Sequence, residues 1–124
     1  MPTYSIQISV RNQYVPEESQ PEQQRYLFAY TITITNRGDV PTQVISRHWF
    51  IADGLGHVEE VQGLGVVGHQ PLLEPGQSFE YTSACPLSTP AGSMRGYYFC
   101  VAADGRRFEA QIPEFTLAMP RALH

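Results

Sequence analysis

Gly63-Leu64-Gly65-Val66-Val67-Gly68 spells G-x-G-x-x-G, and the residues behind it, His69-Gln70-Pro71-Leu72-Leu73-Glu74-Pro75-Gly76, decide which fold it belongs to. A dinucleotide fingerprint needs a strand before it and a helix after it, because the pyrophosphate rests on the helix N-terminus. Pro71 and Pro75 forbid a helix opening there, since proline lacks the amide donor and pushes its predecessor out of the helical region. The glycines therefore belong to a β-sheet connection.

Outward from that loop, apolar residues recur with a period of two. Tyr4, Ile6, Ile8 and Val10 alternate with Ser5, Gln7 and Ser9, and from Tyr26 to Thr35 the even positions are apolar. Alternation of this kind gives each strand one face for a core and one for water. Asn36-Arg37-Gly38-Asp39 carries a hairpin signal leading into a strand from Thr42 to Ala52. Asp53-Gly54-Leu55-Gly56 turns that strand into His57 to Gln62, and Glu74-Pro75-Gly76-Gln77 feeds Ser78 to Ser83. Strands from Ser93 to Ala102 and Arg107 to Ile112 are joined by Ala103-Asp104-Gly105-Arg106, and Phe115-Thr116-Leu117 forms a separate last extended piece. Pro16 to Gln24, acidic and glutamine-rich, reads as a loop without core residues. The pattern predicts an all-β, fibronectin type III/immunoglobulin-like antiparallel sandwich of about seven or eight strands.

The 124 residues make one domain, 1–124, with no repeat or dividing linker; at 42% hydrophobic residues the chain can build its own core. A net charge of −4 lacks the basic excess of a nucleic-acid or anionic-membrane binder, so neither is expected as a partner. Every cation is an arginine, which fits forked anion contacts and fits genome base composition equally. Cys85 and Cys100 read as reduced strand residues of a cytoplasmic protein, with a cross-strand disulfide as the alternative. No apolar run is long enough to cross a bilayer as a helix.

Arg47-His48-Trp49, followed by the glycine stretch through Pro71, resembles the bacterial ApaG family, also called CorD. The resemblance continues through Pro75-Gly76, Tyr81-Thr82-Ser83, Gly92/Met94/Gly96/Tyr98, and Phe108 with Ile112-Pro113-x-Phe115-x-Leu117, from about Tyr4 to Leu117. It implies a fibronectin type III-like sandwich. The family is named for its genetic neighbourhood with a diadenosine-tetraphosphate hydrolase and is linked to cobalt resistance and magnesium efflux. Related domains are appended to eukaryotic F-box proteins and to a polymerase-interacting protein, which implies adaptor-like use.

The candidate site residues each have a structural reading beside a functional one. Gly63, Gly65 and Gly68 could cradle an anion with successive N–H groups. Alternatively they supply a turn or bulge while Val66 and Val67 insert into the core. Arg47 and Trp49 share one strand face and His48 takes the other. A buried Trp49 would leave Arg47 reaching for a carboxylate or backbone carbonyls, with His48 turned toward any ligand. Arg95, Arg106 and Arg107 are further candidates for phosphate contact. The histidines (His48, His57, His69, His124) lack ligand spacing, and Glu59 and Glu60 point to opposite faces of a strand, so no metal is expected. Ser83 and Cys85 have no sequence-local base, so no catalytic residue and no cofactor is assigned. The preferred expectation is a non-enzymatic interaction module with an unidentified protein partner, open to homodimerisation through strand edges. The alternative is a sensor of pyrophosphate or a dinucleoside polyphosphate at Gly63 to Gly68.

Overall fold

The computed structural model describes residues 1–120; His124 lies outside them. Among these residues eight strands form: β1 (Ile6–Tyr14), β2 (Tyr26–Asn36), β3 (Thr42–Asp53), β4 (Val58–Leu64), β5 (Leu72–Leu73), β6 (Ser78–Leu87), β7 (Ala91–Ala102) and β8 (Arg107–Ala118). They make an antiparallel sandwich. One sheet runs β1-β2-β6, and the other runs β4-β3-β7-β8 with β5 also on β3. The segment after β1 holds two 3-10 turns, Pro16–Glu18 and Pro21–Gln23, with no buried residue in either.

The alternation in β2 explains the smaller sheet. Phe28, Tyr30, Ile32 and Ile34 are buried in the interlayer. Thr31, Thr33 and Thr35 face water and pair across to Thr82, Glu80 and Ser78 at 2.8, 3.0 and 2.7 Å. Trp49, only 2% exposed, takes the interior position expected of it. Its indole meets the rings of Tyr30, Phe115 and Tyr98 nearly edge-on at 5.6, 6.0 and 6.4 Å, the favoured geometry for aromatic pairs. Tyr81 and Tyr98 share a hydroxyl–hydroxyl bond inside the same layer.

Two expectations are corrected. Asn36-Arg37-Gly38-Asp39 does not close a hairpin: both edges of β2 are occupied, by β1 and β6, so β3 enters the opposite sheet. Asn36 is buried and organises that crossing. Its Nδ2 donates to the Val40 and Leu73 carbonyls, each at 2.9 Å, and its Oδ1 accepts from the Gly38 amide at 2.9 Å. Likewise, Phe115-Thr116-Leu117 is not a separate piece, because β8 runs unbroken through Pro113. The register with β7 shifts between Met94 and Gly96, leaving Pro113 and Glu114 in the bulge. An edge strand with a bulge tolerates a residue that cannot donate a ladder bond.

Cys85 on β6 and Cys100 on β7 are free, buried and on different sheets. Burial first, and the Glu59 carboxylate second, push the Cys85 thiol from 9.0 up to about 11. Burial pushes Cys100 up to about 12.

Asn36→Ala removes all three side-chain bonds and strands two carbonyls, which should lower stability by about 3 kcal/mol in a urea titration. A loss under about 1 kcal/mol would mean that the crossing does not depend on this amide. The raised thiols give a second expectation. The folded chain keeps protons that the unfolded chain sheds, so the denaturation midpoint should fall as pH climbs from 9.0 toward 11. Over the same range iodoacetamide should modify unfolded chain faster than native chain.

Candidate functional site

The glycine stretch is built around Arg47. In β3 this residue follows Trp49 toward the interior and lies opposite Gly63 of β4. Its guanidinium passes beneath Gly63, and Nη1 donates to the carbonyls of Leu64 and Gly65, both at 3.0 Å. A Cβ on Gly63 would stand 2.7 Å from Arg47 Nη2, so only glycine leaves that passage open. The backbone-carbonyl reading of Arg47 is therefore the observed one. Desolvation raises the Tyr30 and Tyr81 phenols, and the nearby Arg47 charge offsets part of that rise.

Beyond Leu64 the chain leaves the ladder and comes back. Gly65 N donates to Ile45 O at 2.7 Å, and Val44 N donates to Pro71 O at 3.0 Å, so β4 and β5 form one interrupted edge along β3. The excursion closes on itself: Val66 and His69 exchange backbone bonds of 2.7 and 3.0 Å around Val67 (φ 48°) and Gly68 (φ 80°). Two consecutive positive φ values make this a primed two-residue turn, an unusual place for a β-branched residue. Val66 is fully buried as expected, but Val67 is 57% exposed at the turn tip and does not enter the core. Gly65 has φ 68°, and a Cβ there would meet the His69 carbonyl at 2.5 Å. The amides of Gly65, Val66 and His69 are thus committed to carbonyls rather than gathered around an open cradle.

The four candidate arginines do not converge. Arg47 lies inward under β4, Arg95 sits over the Phe50 ring at 4.4 Å, and Arg106 covers Tyr4 at 5.2 Å near the β7–β8 turn. Arg107 is exposed at the start of β8.

Sequence reasoning did not find the feature that surrounds His48. On the outer face of the larger sheet, cross-strand neighbours form three rows. Leu64, Ser46, Phe99 and Glu109 make the first, and Gln62, His48, Tyr97 and Gln111 the second. Glu60, Phe50 and Arg95 make the third. His48 stacks on Phe50 at 4.5 Å with ring planes 15° apart, and its Nδ1 shares a 3.0 Å bond with the Tyr97 hydroxyl. Its Nε2 is buried without a hydrogen-bond partner, 3.8 Å from a Glu60 carboxylate oxygen. Ser46, small between two large neighbours, leaves an open hollow of about 470 Å³ over the first two rows. One signal was available in the sequence: Tyr97-Tyr98-Phe99-Cys100 is apolar at both parities, so this strand must be aromatic on both faces.

Other chemistry stays dispersed. His69 packs on Phe79 at 5.6 Å, and His57 pairs with Asp53 at 3.2 Å in the β3–β4 turn. Ser83 lies across from Tyr30 in the β2–β6 ladder, and Cys85 holds its proton. Among the described residues no three His, Cys, Asp or Glu side chains gather into a metal-binding group.

A family model described as the ApaG domain matches residues 16–102. The chain is 64% identical over 124 residues, the full length of both, to a Ralstonia nicotianae protein called Protein ApaG. A Bordetella pertussis protein of the same name is 63% identical over 121 residues, covering 98% of this chain and 92% of that one. A crystal structure of a Bordetella pertussis protein superposes with a TM-score of 0.93 at 62% identity, covering 96% of this chain and 97% of that chain.

Arg47→Ala should cost about 1–2 kcal/mol by exposing two carbonyls without their donor, and Gly63→Ala should cost a similar amount by displacing the guanidinium. Because both act through one contact, the double variant should be little worse than either single one in denaturant unfolding. Additive losses would show that Gly63 serves something other than Arg47.

Proposed function

The chain belongs to the ApaG family, and on that footing we propose that it is a non-enzymatic interaction module whose working surface is the outer face of the β4-β3-β7-β8 sheet. The contrast between the sandwich's two outer faces carries this reading. The face of β1-β2-β6 is a ladder of hydroxyls and charges, with Thr31 on Thr82, Thr33 on Glu80, and Arg11 3.5 Å from Glu80. The opposite face presents Phe50, Tyr97 and Phe99, all only partly buried, around His48. Aromatic side chains covering solvent-facing sheet positions suit a protein interface, where such groups anchor binding.

Support also comes from what the interior does with its reactive groups. Cys85 and Cys100 hold their protons, which suits a structural role and a reducing compartment such as the cytoplasm. Among the described residues no helix is long and apolar enough to cross a membrane. In this reading the family's cobalt and magnesium phenotypes follow from a partner rather than from bound ion. The free edge of β4 offers backbone groups for pairing with a second chain or copy. The phosphate-sensor alternative has no comparable support, because the amides of Gly65, Val66 and His69 and the Arg47 guanidinium are already bonded and Arg95 lies on the opposite face of the sheet from Arg47.

The test is affinity capture from native-host extract at several salt concentrations, with three baits. Wild type and the opposite-face variant Thr33→Arg should retain one stoichiometric protein, and Tyr97→Ser should retain it about tenfold less well. Recovery of no stoichiometric partner, or equal recovery with Tyr97→Ser, would overturn the reading.

A further inference from the structure

Resting on that interaction reading, we infer that the hollow above Ser46 receives an arginine side chain presented by the partner protein. The hollow's shape comes from one short side chain. Ser46 sits between Leu64 and Phe99 in its row, while the adjacent row places Gln62, His48 and Tyr97 beside it. About 470 Å³ of open space results, enough for a long side chain entering along the sheet normal. Its walls are planar and apolar at Phe99 and Tyr97, and Leu64, which is 76% exposed, offers a surface for a methylene stem.

Charge decides what kind of side chain fits. Glu109 is exposed at the far end of the first row and forms no salt bridge among the described residues. Gln62 and Ser46 add neutral acceptor oxygens. Among the described residues no cation is paired with Glu109, and Arg107, two residues before it on the same face of β8, makes no salt bridge to it. Arg47, whose backbone floors it, carries its guanidinium through to the Leu64 and Gly65 carbonyls, and Arg95 lies over Phe50 in the third row. The hollow is therefore rich in acceptors, aromatic and anionic, in a chain of net charge −4. A guanidinium matches all three properties: it stacks on aromatic faces, pairs with a carboxylate through its fork, and is weakly hydrated enough to enter a half-buried site. An acidic or purely apolar side chain would leave Glu109 either repelled or unpaired.

The experiment uses the whole chain, isotope-labelled, titrated with a synthetic peptide, acetyl-Thr-Val-Arg-Val-Thr-amide, and followed by backbone amide shifts. Shifts should concentrate at Ser46, Gln62, Tyr97, Phe99 and Glu109 and leave β1, β2 and β6 unmoved. The same peptide with citrulline in place of arginine, isosteric but uncharged, should bind at least tenfold more weakly, and with glutamate should not bind. Glu109→Gln, at an exposed position that does not threaten folding, should weaken the arginine peptide by about the same factor as citrulline does. Absence of shifts at millimolar peptide, equal binding of the citrulline peptide, or shifts centred on another face would overturn the inference. A captured partner that Tyr97→Ser loses, together with a silent arginine titration, would leave the interface standing and remove the arginine. Arginine-peptide binding without any captured partner would do the reverse.

Discussion

The chain must pass from one sheet to the other without exposing the shared interlayer, and the buried amide of Asn36 makes that passage. Three hydrogen bonds from one side chain tie the end of β2 to Gly38, Val40 and Leu73, so β3 starts already facing the opposite layer. The interior arrangement depends on that change of sheet. Trp49 reaches Tyr30 across the gap because β2 and β3 lie in different layers rather than side by side. A buried polar group with every bond made specifies geometry more sharply than apolar packing alone, because any other register strands its donors and acceptors.

Much of this architecture was legible in the residues. Alternation from Phe28 to Ile34 identified the buried face of β2, and Asp-Gly and Pro-Gly punctuation located the turns before β4, β6 and β8. Pairing was less legible. Asn36-Arg37-Gly38-Asp39 has the chemistry of a tight turn in both a hairpin and a crossing, and only the occupied edges of β2 decide between them. Pro113 looked like a strand terminus because the sequence does not say that β8 is an edge with a bulge opposite Arg95.

The candidate site divides in the same way. Two prolines sufficed to separate the glycine stretch from a nucleotide fold, and strand parity sufficed to place Arg47 with Trp49 and apart from His48. What parity could not supply was the third dimension of the glycines: Gly63 is needed because a guanidinium passes beneath it, a contact between strands. The aromatic outer face had a single announcement in the sequence, the unbroken apolar run from Tyr97 to Cys100. Phe50, Tyr97 and Phe99 resemble core residues in composition, and they lie outside only because their neighbours Trp49, Tyr98 and Cys100 already fill the interior.

The small excursion between β4 and β5 has a practical consequence. Its backbone bonds close internally between Val66 and His69, and a side chain built at Gly68 would meet nothing within 4 Å. The ladder on either side is sealed by Gly65 and Pro71. Only the tip is detachable, since Val66 stays in the core and His69 packs on Phe79, so a foreign epitope or fluorophore-binding tag spliced at Val67-Gly68 would ride on the domain as a handle without rewriting the sheet that carries it.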